Sequence, residues 1–362
     1  MMLDALQRLR RMINSYRRRH LEENVASFLV DASRSRGVRT CSLNVAPVTR
    51  GCGCKVQHSV VGAVTPVLLE NVCVWPSYAL ATDRKGRLIR ECLPSDYRTR
   101  RLVVERALKR GQPARSTAAV VTAIDTGFMW DNYYHWLVDA LPRVFWLWDP
   151  HVKAAAGSHV VLYTRRFDAG PLRQLLEAIL PDYVEVRRCD AQTTITGPAY
   201  LHLPQLSRDL CGWLPPAYLR RFRDAVDGLW PGAGAVGTRG VYIMRALASK
   251  RRVLNERELC ETLRPLGIEA IAAEELSIPL QVRFFSHSTL VLAPHGAGLT
   301  NILFSRKCRV VELFPGPALG HYRELSRALG HDYVAARFGC AGKNADFAVD
   351  TKRVVELLER IA

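Results

Sequence analysis

The sequence has no apolar run long enough to cross a membrane and no cysteine framework. No stretch approaches the ~18 uninterrupted apolar residues of a spanning helix, and the Arg-rich start lacks the apolar core and cleavage site of a signal peptide. The ten cysteines are scattered over 362 residues, so a small disulfide scaffold is excluded. Cys52 and Cys54 form a close pair, but no second pair accompanies them to complete a zinc site. We therefore expect reduced thiols and a location inside the cell.

Acidic residues are in short supply relative to basic ones. The chain has 51 Lys and Arg against 34 Asp and Glu, which gives a formal net charge of +17. Such a charge attracts nucleic acid, anionic lipid or phosphorylated substrates, and by itself does not choose among them. The length exceeds what one hydrophobic core usually serves, so two domains are expected.

Residues 1–30 form a basic amphipathic N-terminal segment, of which residues 1–20 predict a helix. Apolar side chains recur at helical spacing between Leu3 and Tyr16, and six arginines occupy the other positions between Arg8 and Arg19. Such a helix can lie in the headgroup layer of an anionic membrane. The alternative is a solvated helix that packs on its own protein. Residues 31–115 show only short apolar runs between Gly and Pro, which indicates strands and loops.

From residue 119 onward, apolar β-type runs alternate with helical patterns, as in a parallel α/β sheet. The predicted strands are AAVVTAID, SHVVLYTR and YVEVRR in the first half, and GVYIMR, EAIAA, TLVLAP, RVVELFP and DYVAARF in the second. A Gly- and Pro-rich segment, PGAGAVGTRG, reads as the linker between them. We expect units at 31–230 and 231–348, the second Rossmann-like, and a final helix at 349–362 that packs back across the domain seam.

The segment VLAPHGAGLTN predicts a phosphate-binding turn. A buried-type strand ends at Gly296 and Gly298, and a helix follows. The free amides and partial positive charge of a helix N-terminus suit a diphosphate, and His295 and Asn301 flank the turn. The alternative is a tight turn that needs glycine for its backbone dihedrals. The spacing does not match G-x-G-x-x-G, which weakens a dinucleotide interpretation.

A basic cluster after the GVYIMR strand can face the same ligand. Arg245 ends the strand, and Lys250, Arg251 and Arg252 follow before a helix. The planar guanidinium group of arginine matches phosphate oxygens. Asn255 and Glu256 come next, and for them we weigh contact with the ligand equally against capping and dipole compensation of that helix.

The segment DNYYHWLVDALPR carries the candidate base. His135 and Asp139 are four residues apart and share a helix face, with Asn132 at the entrance. Either can take a proton from an incoming hydroxyl group, with Asp139 the first choice and His135 the second. The alternative is a surface pair on an amphipathic helix. Trp136 and the tyrosines beside it, including Tyr134, can stack on sugar faces or build the core.

These segments, in this order and together with RRVLNE, LSIPLQVRFF and VVELFP, resemble glycosyltransferase family 61, particularly its bacterial capsular-polysaccharide-biosynthesis-like members. The resemblance implies a GT-B fold with two Rossmann-like domains facing a cleft, an inverting mechanism, and no obligatory metal; no D-x-D stands out in the sequence. His135 and Asp139 match the H-x-x-x-D element of the family. The donor-side motif HGAGLTN maps onto His295, Gly296, Ala297, Gly298, Leu299, Thr300 and Asn301.

The resemblance therefore predicts an acceptor-side domain at 31–230 and a nucleotide-sugar-binding domain at 231–348. The expected reaction moves a sugar from a UDP-linked donor, a co-substrate rather than a cofactor, to a capsule, exopolysaccharide or lipopolysaccharide acceptor. We expect the protein in the cytoplasm, peripheral to the inner membrane, with a glycan or lipid-linked glycan and an anionic membrane surface as partners. The alternatives are a basic nucleic-acid-binding protein, although no specific nucleic acid is expected, and an inactive scaffold of a polysaccharide-synthesis complex.

Overall fold

The computed structural model describes most of the chain from residue 65 onward. The described residues are 65–92, 112–125, 131–165, 170–206, 212–231, 239–339 and 344–361, together with two short strands, β1 (Leu29–Val30) and β2 (Arg39–Ser42). The predicted basic helix lies outside them, and so does most of the predicted linker. In this part of the chain, no helix has both the length and the apolar content that membrane crossing requires.

The second half is built on a five-stranded, wholly parallel sheet in the order β14-β13-β15-β16-β17. Its strands are β13 (Gly240–Ile243), β14 (Ile268–Ile271), β15 (Leu290–Pro294), β16 (Arg309–Phe314) and β17 (Asp332–Arg337). All five strands were predicted from their apolar, β-branched runs, and the prediction is confirmed. The central strand β15 is buried along its whole length, as expected where helices cover both faces.

The first half contains a six-stranded sheet in the order β10-β9-β8-β12-β3-β2. The three predicted strands of this half form its parallel part with β12, and β3 and β2 join antiparallel. The bounds are β3 (Val67–Glu70), β8 (Val120–Ala123), β9 (Val160–Thr164), β10 (Val184–Arg188) and β12 (Ala199–His202). The α/β class with parallel sheets is therefore confirmed.

A second sheet of short strands covers this one, in the order β1-β6-β5-β4-β11-β7. Its remaining strands are β4 (Cys73–Trp75), β5 (Leu80–Thr82), β6 (Leu88–Ile89), β7 (Gln112–Arg115) and β11 (Thr193–Thr196). Buried side chains from both sheets form one cluster that includes Leu69, Ala81, Val121, Val161 and Tyr200. The expectation of strands and loops before residue 115 is met, but these strands were not predicted one by one.

The α-helices flank the sheets. They are α1 (Pro150–Ala156), α2 (Pro171–Ile179), α3 (Pro216–Leu229), α4 (Glu256–Leu263), α5 (Ile278–His287), α6 (His321–Leu329) and α7 (Thr351–Arg360). Asp149 caps helix α1, because its carboxylate accepts hydrogen bonds from the backbone amides of His151 and Val152. That helix α7 packs across the domain seam stays a prediction. Its Val354 and Leu358 are buried in one cluster with Leu259 and Leu263 of α4, in the core of the second half.

Two segments predicted as ordinary helices have different hydrogen bonding. Residues His135–Ala140 form a π-helix, and a 3-10 helix, Leu141–Trp148, follows directly. Pro142 explains the change, because a proline has no N–H to donate and its ring clashes with the carbonyl four residues earlier. The segment Ala297–Phe304 is likewise a 3-10 helix. Isolated π-turns occur frequently at functional sites.

One continuous hydrophobic cluster joins the two halves of the chain. Phe222 of α3 stacks on Phe304, with ring centroids 6.0 Å apart. Buried Asn301 accepts a hydrogen bond from the Tyr133 hydroxyl at 2.6 Å and donates one to Gln281 Oε1 at 2.6 Å. The π-helix and the glycine turn at residue 296 are therefore held next to each other.

Candidate active site

A cavity of about 180 Å³ lies between the π-helical segment of the first half and the glycine turn of the second. It is lined by Asn132, Tyr134, His135, Arg251, His295, Gly296, Ala297, His321 and Tyr322. The turn follows the carboxyl end of β15, where open parallel sheets bind their ligands. Six of these residues were predicted from the sequence as site residues, and the structure brings them together: Asn132, Tyr134, His135, His295, Gly296 and Ala297.

His135 and Asp139 form a hydrogen-bonded pair, which we call the first dyad. His135 Nδ1 lies 2.6 Å from Asp139 Oδ2. The side chain of Asp139 is fully buried, whereas 14% of the His135 side chain is exposed and lines the cavity. The carboxylate therefore orients the imidazole, and the imidazole faces the cavity. Asp139, the first choice as base, is thus inside the protein, whereas His135, the second choice, is accessible from the cavity.

Residue 296 is a glycine because the Arg245 guanidinium group lies close to its Cα, and not because its backbone dihedrals require glycine. Its φ of 177° is extended, a conformation open to any residue. A Cβ added here would lie 1.7 Å from Nη1 of Arg245. At Gly298 an added Cβ would meet Ile243 Cγ2 at 3.0 Å. The alternative that these glycines supply unusual dihedrals is therefore wrong: one makes room for a guanidinium group, and the other lets the turn pack on β13.

Two arginines bring positive charge to the turn. Arg245 Nη2 donates to the Lys250 carbonyl at 2.9 Å, and its backbone amide donates to Glu256 Oε1 at 2.8 Å. Burial lowers the pKa of Arg245, and the neighbouring charge of Arg251 lowers it further. Arg251 lines the cavity with a left-handed backbone at φ 55°, which is uncommon for a residue other than glycine. Two cations close enough to repel each other favour an anionic ligand between them.

Several predicted site residues do not line this cavity. Arg252 forms an ion pair with Asp346 at 2.8 Å, whereas the adjacent Arg251 lines the cavity. Asn255 neither caps α4 with its side chain nor lines the cavity. Its amide group exchanges hydrogen bonds with the backbone of Val349, at 2.8 and 2.9 Å.

Three further predicted residues are buried in the core. Leu299 is 1% exposed, Asn301 is 0% exposed and engaged in the seam, and Trp136 is 0% exposed. Trp136 was proposed for the acceptor side, but it belongs to the hydrophobic cluster, which is the commoner position for a tryptophan on a helix. Thr300 Oγ1 lies 3.3 Å from the Tyr322 hydroxyl, also in the interior.

Three further residues at or beside the cavity were not predicted from the sequence: Tyr322, His321 and Glu312. Tyr322 donates to the Gly296 carbonyl at 2.7 Å, and burial raises its pKa. His321 begins α6 beside the cavity, and burial, followed by the neighbouring His295, lowers its pKa. Glu312 lies 2.5 Å from His295 Nδ1. Their positions in the sequence could have identified these residues. Glu312 is a charged residue within a buried strand, and α6 follows the carboxyl end of that strand.

Among the residues described, no group of three or more His, Cys, Asp or Glu side chains is arranged to hold a metal ion. The cavity instead combines a hydrogen-bonded histidine, two arginines nearby and the beginning of a helix. This set can bind a phosphorylated ligand and accept a proton next to it.

The α/β fold, with a histidine–aspartate pair beside a turn that two arginines approach at the end of a parallel strand, is that of a candidate group-transfer enzyme. A family model described as Glycosyltransferase 61 matches residues 133–311. This match confirms the resemblance, and the chain belongs to glycosyltransferase family 61. The matched segment contains the first dyad and the whole of HGAGLTN, and it ends just before Glu312. Comparison with curated proteins finds no match to this chain.

Proposed function

We propose that this glycosyltransferase moves a sugar, with inversion, from a UDP-linked donor to a surface-glycan acceptor. The observation that supports this most is the single cavity into which His135 projects from one half and Arg251 and Ala297 from the other. A base and a cationic phosphate site on opposite walls are what direct displacement at an anomeric carbon requires. The arrangement also agrees with a GT-B layout, in which the second half would hold the donor.

On the donor side, the diphosphate would lie against the start of the Ala297–Phe304 helix. The first amides of a helix have no partner within it and carry partial positive charge. Arg251 would contact the phosphate oxygens, and Arg245, held against Gly296, would add charge behind them. Fixed cations stabilise a leaving diphosphate without a metal, which is the basis for proposing a metal-independent reaction.

On the acceptor side, His135 would act as the base and Asp139 as its positioning partner. Nδ1–H of His135 donates to Asp139, which leaves Nε2 to accept a proton. As the acceptor hydroxyl oxygen bonds to the anomeric carbon, its proton moves to Nε2. The bond between that carbon and the phosphate oxygen breaks, and the electron pair leaves with UDP. Attack from the face opposite to UDP inverts the anomeric centre.

The proposals for the acceptor and for the cellular location rest on the positive charge of the chain. The net charge of +17 and the basic first thirty residues fit an anionic membrane surface with lipid-linked glycan acceptors. We therefore propose capsule, exopolysaccharide or lipopolysaccharide synthesis at the cytoplasmic side of the inner membrane.

The test begins with a panel of nucleotide sugars, scored by the rise in melting temperature that binding to the folded state produces. With the best donor, His135→Ala should lower turnover by about 10²–10⁴-fold, the range for loss of a general base, while donor binding survives. The matched control is His151→Ala, an exposed histidine of the same half. Turnover retained by His135→Ala would remove this residue as the base. Tight, salt-steep DNA binding without any donor binding would favour the nucleic-acid alternative.

A further inference from the structure

A third imidazole lines the active-site cavity, between its two walls. His321 is the first residue of α6, and its ring centroid lies 5.9 Å from that of Tyr134, in the first half of the chain. On the other side, its ring centroid lies 6.2 Å from that of His295, at the glycine turn. His321 therefore lies between the wall that carries the proposed base and the wall that carries the proposed phosphate site.

The other two histidines of the cavity each have a carboxylate partner. His135 forms the first dyad with Asp139, and His295 Nδ1 lies 2.5 Å from Oε1 of the buried Glu312. In His321, Nδ1 is enclosed by the protein and has no hydrogen-bond partner among the described residues. Since His321 is partly exposed and lines the cavity, Nε2 is the ring nitrogen that a ligand can reach.

We propose that His321 determines specificity for the transferred sugar, through a hydrogen bond between its imidazole and one sugar hydroxyl group, an inference that rests on the proposed glycosyl transfer. In a direct displacement, the anomeric carbon lies between the attacking hydroxyl oxygen and the leaving phosphate oxygen. With His135 on one wall and the diphosphate at the turn on the other, the sugar ring occupies the space between them. His321 lines that space.

The imidazole of His321 suits a neutral, hydroxyl-rich group better than a phosphate. Burial lowers the pKa of His321 and the neighbouring His295 lowers it further, against an opposing effect of Asp139, so the neutral form is favoured. A neutral imidazole has one N–H donor and one acceptor nitrogen, and it offers no positive charge to an anion. A hydroxyl group both donates and accepts, so it can pair with Nε2 in either role.

Tyr322, the next residue of α6, also contacts both walls. Its ring centroid lies 5.4 Å from that of Tyr134 and 5.7 Å from that of His295. Its hydroxyl group, however, donates to the Gly296 carbonyl at 2.7 Å, and the residue is 3% exposed. Of these two residues of α6 that line the cavity, His321 is thus the one with a polar atom left for a substrate hydroxyl group.

A close approach from the first half of the chain holds His321 in place. Gly212 has a positive φ of 80°, and a Cβ added there would collide with the His321 carbonyl oxygen. The same Cβ would lie 3.2 Å from the Tyr134 hydroxyl oxygen. The backbone of Gly212 therefore packs directly against the beginning of α6, and this contact fixes the position of the imidazole relative to the wall of the proposed base.

The direct test compares donors that differ by one hydroxyl group. UDP-glucose, UDP-galactose and UDP-N-acetylglucosamine are assayed first, and kcat/KM is then measured for the best of them and for its monodeoxy analogues. His321→Ala should lower kcat/KM for the parent donor about tenfold, the effect of one hydrogen bond, and should have almost no effect on the analogue that lacks the contacted hydroxyl group. His321→Gln, whose amide can replace Nε2, should recover part of the loss. The matched control is His287→Ala, an exposed histidine of the same half.

The second measurement uses UDP, which carries the diphosphate but no sugar. Its dissociation constant should be unchanged in His321→Ala, whereas Arg251→Ala should weaken its binding. Unchanged turnover of the parent donor in His321→Ala, or an equal loss with every deoxy analogue, would overturn the role of His321 and leave the proposed donor site intact. Weaker UDP binding in His321→Ala would also overturn it, because the residue would then act on the diphosphate. No binding of UDP or of any UDP-sugar to the wild type would count against the proposed function itself.

Discussion

The substitution Gly296→Ala isolates the contact between the glycine turn and Arg245. The new methyl carbon would lie 1.7 Å from Nη1, 2.7 Å from Cζ and 3.4 Å from Nε. Carbon–nitrogen contacts are normally near the optimum of about 3.5 Å for non-bonded heavy atoms. The backbone at residue 296 is extended, with φ 177°, so alanine adds no dihedral strain. The guanidinium group must therefore withdraw by roughly 2 Å.

The magnitude follows from what this withdrawal breaks. Arg245 Nη2 would lose its hydrogen bond to the Lys250 carbonyl, now 2.9 Å long. A hydrogen bond made by a charged group contributes about 1.5–3 kcal/mol, so the free energy of unfolding should fall by about that amount. The displaced cation also moves away from the proposed phosphate site. If one charge-assisted contact of similar strength is lost there, pyrophosphate should bind about 10- to 150-fold more weakly.

The assay is calorimetric titration with pyrophosphate, together with denaturant unfolding. Gly316→Ala is the matched control, because a Cβ at that glycine meets nothing within 4 Å. A double-mutant cycle then tests the cause: in an Arg245→Ala background, Gly296→Ala should have almost no effect on affinity. Unchanged affinity and stability in the single variant, or an equal loss in both backgrounds, would refute the explanation based on close approach.

Three further predictions concern stability. Tyr133→Phe removes the donor to buried Asn301, at 2.6 Å, and should cost about 1–3 kcal/mol in denaturant unfolding; no loss would contradict a role for this bond in the seam. Burial, and then Arg143, lowers the pKa of His202 to about 3. The unfolded chain therefore binds more protons below pH ~6.5, and His202 should cost about 2 kcal/mol of stability on acidification to pH ~5. His202→Asn should have a shallower pH dependence over this range, and an unchanged slope would refute the assignment. Asp350→Ala removes the carboxylate that accepts from the Arg353 amide at 3.1 Å and should lower the melting temperature, corresponding to about 1 kcal/mol.

The parallel strands could be predicted because each is marked by its own run of apolar, β-branched residues. In the strand Arg309–Phe314, every residue after Arg309 is buried, and such near-continuous apolar runs are typical of parallel strands covered by helices on both faces. The short strands before residue 115 lack this property. Leu29–Val30 and Leu88–Ile89 have two residues each, and β11 pairs with β4 and β7 across large distances in sequence. Each of these short strands forms only because a strand distant in sequence pairs with it, and the residues of a short segment do not specify that partner.

The chemistry of the site could be predicted in part. The sequence pattern identified the turn, because its glycines follow a strand of buried type. It also identified the first dyad, because His135 and Asp139 are four residues apart in a helical pattern. It could not separate Arg251 from Arg252, since the choice depends on Asp346, whose carboxylate accepts from Arg252. It also did not identify Glu312, although a charged residue within a buried strand is a signal that a partner must exist.

The residues of HGAGLTN divide into those that meet the cavity and those that fix its shape. His295, Gly296 and Ala297 line the cavity, whereas Asn301 is buried and ties the turn both to Tyr133 and to Gln281. Tyr133 is two residues before His135, so these hydrogen bonds fix the distance between His135, the proposed base, and the turn, the proposed phosphate site. Preorganisation of reacting groups lowers the entropic cost of reaction. The buried asparagine thus has a geometric role in the family motif: it holds the two walls of the cavity in a fixed relative position.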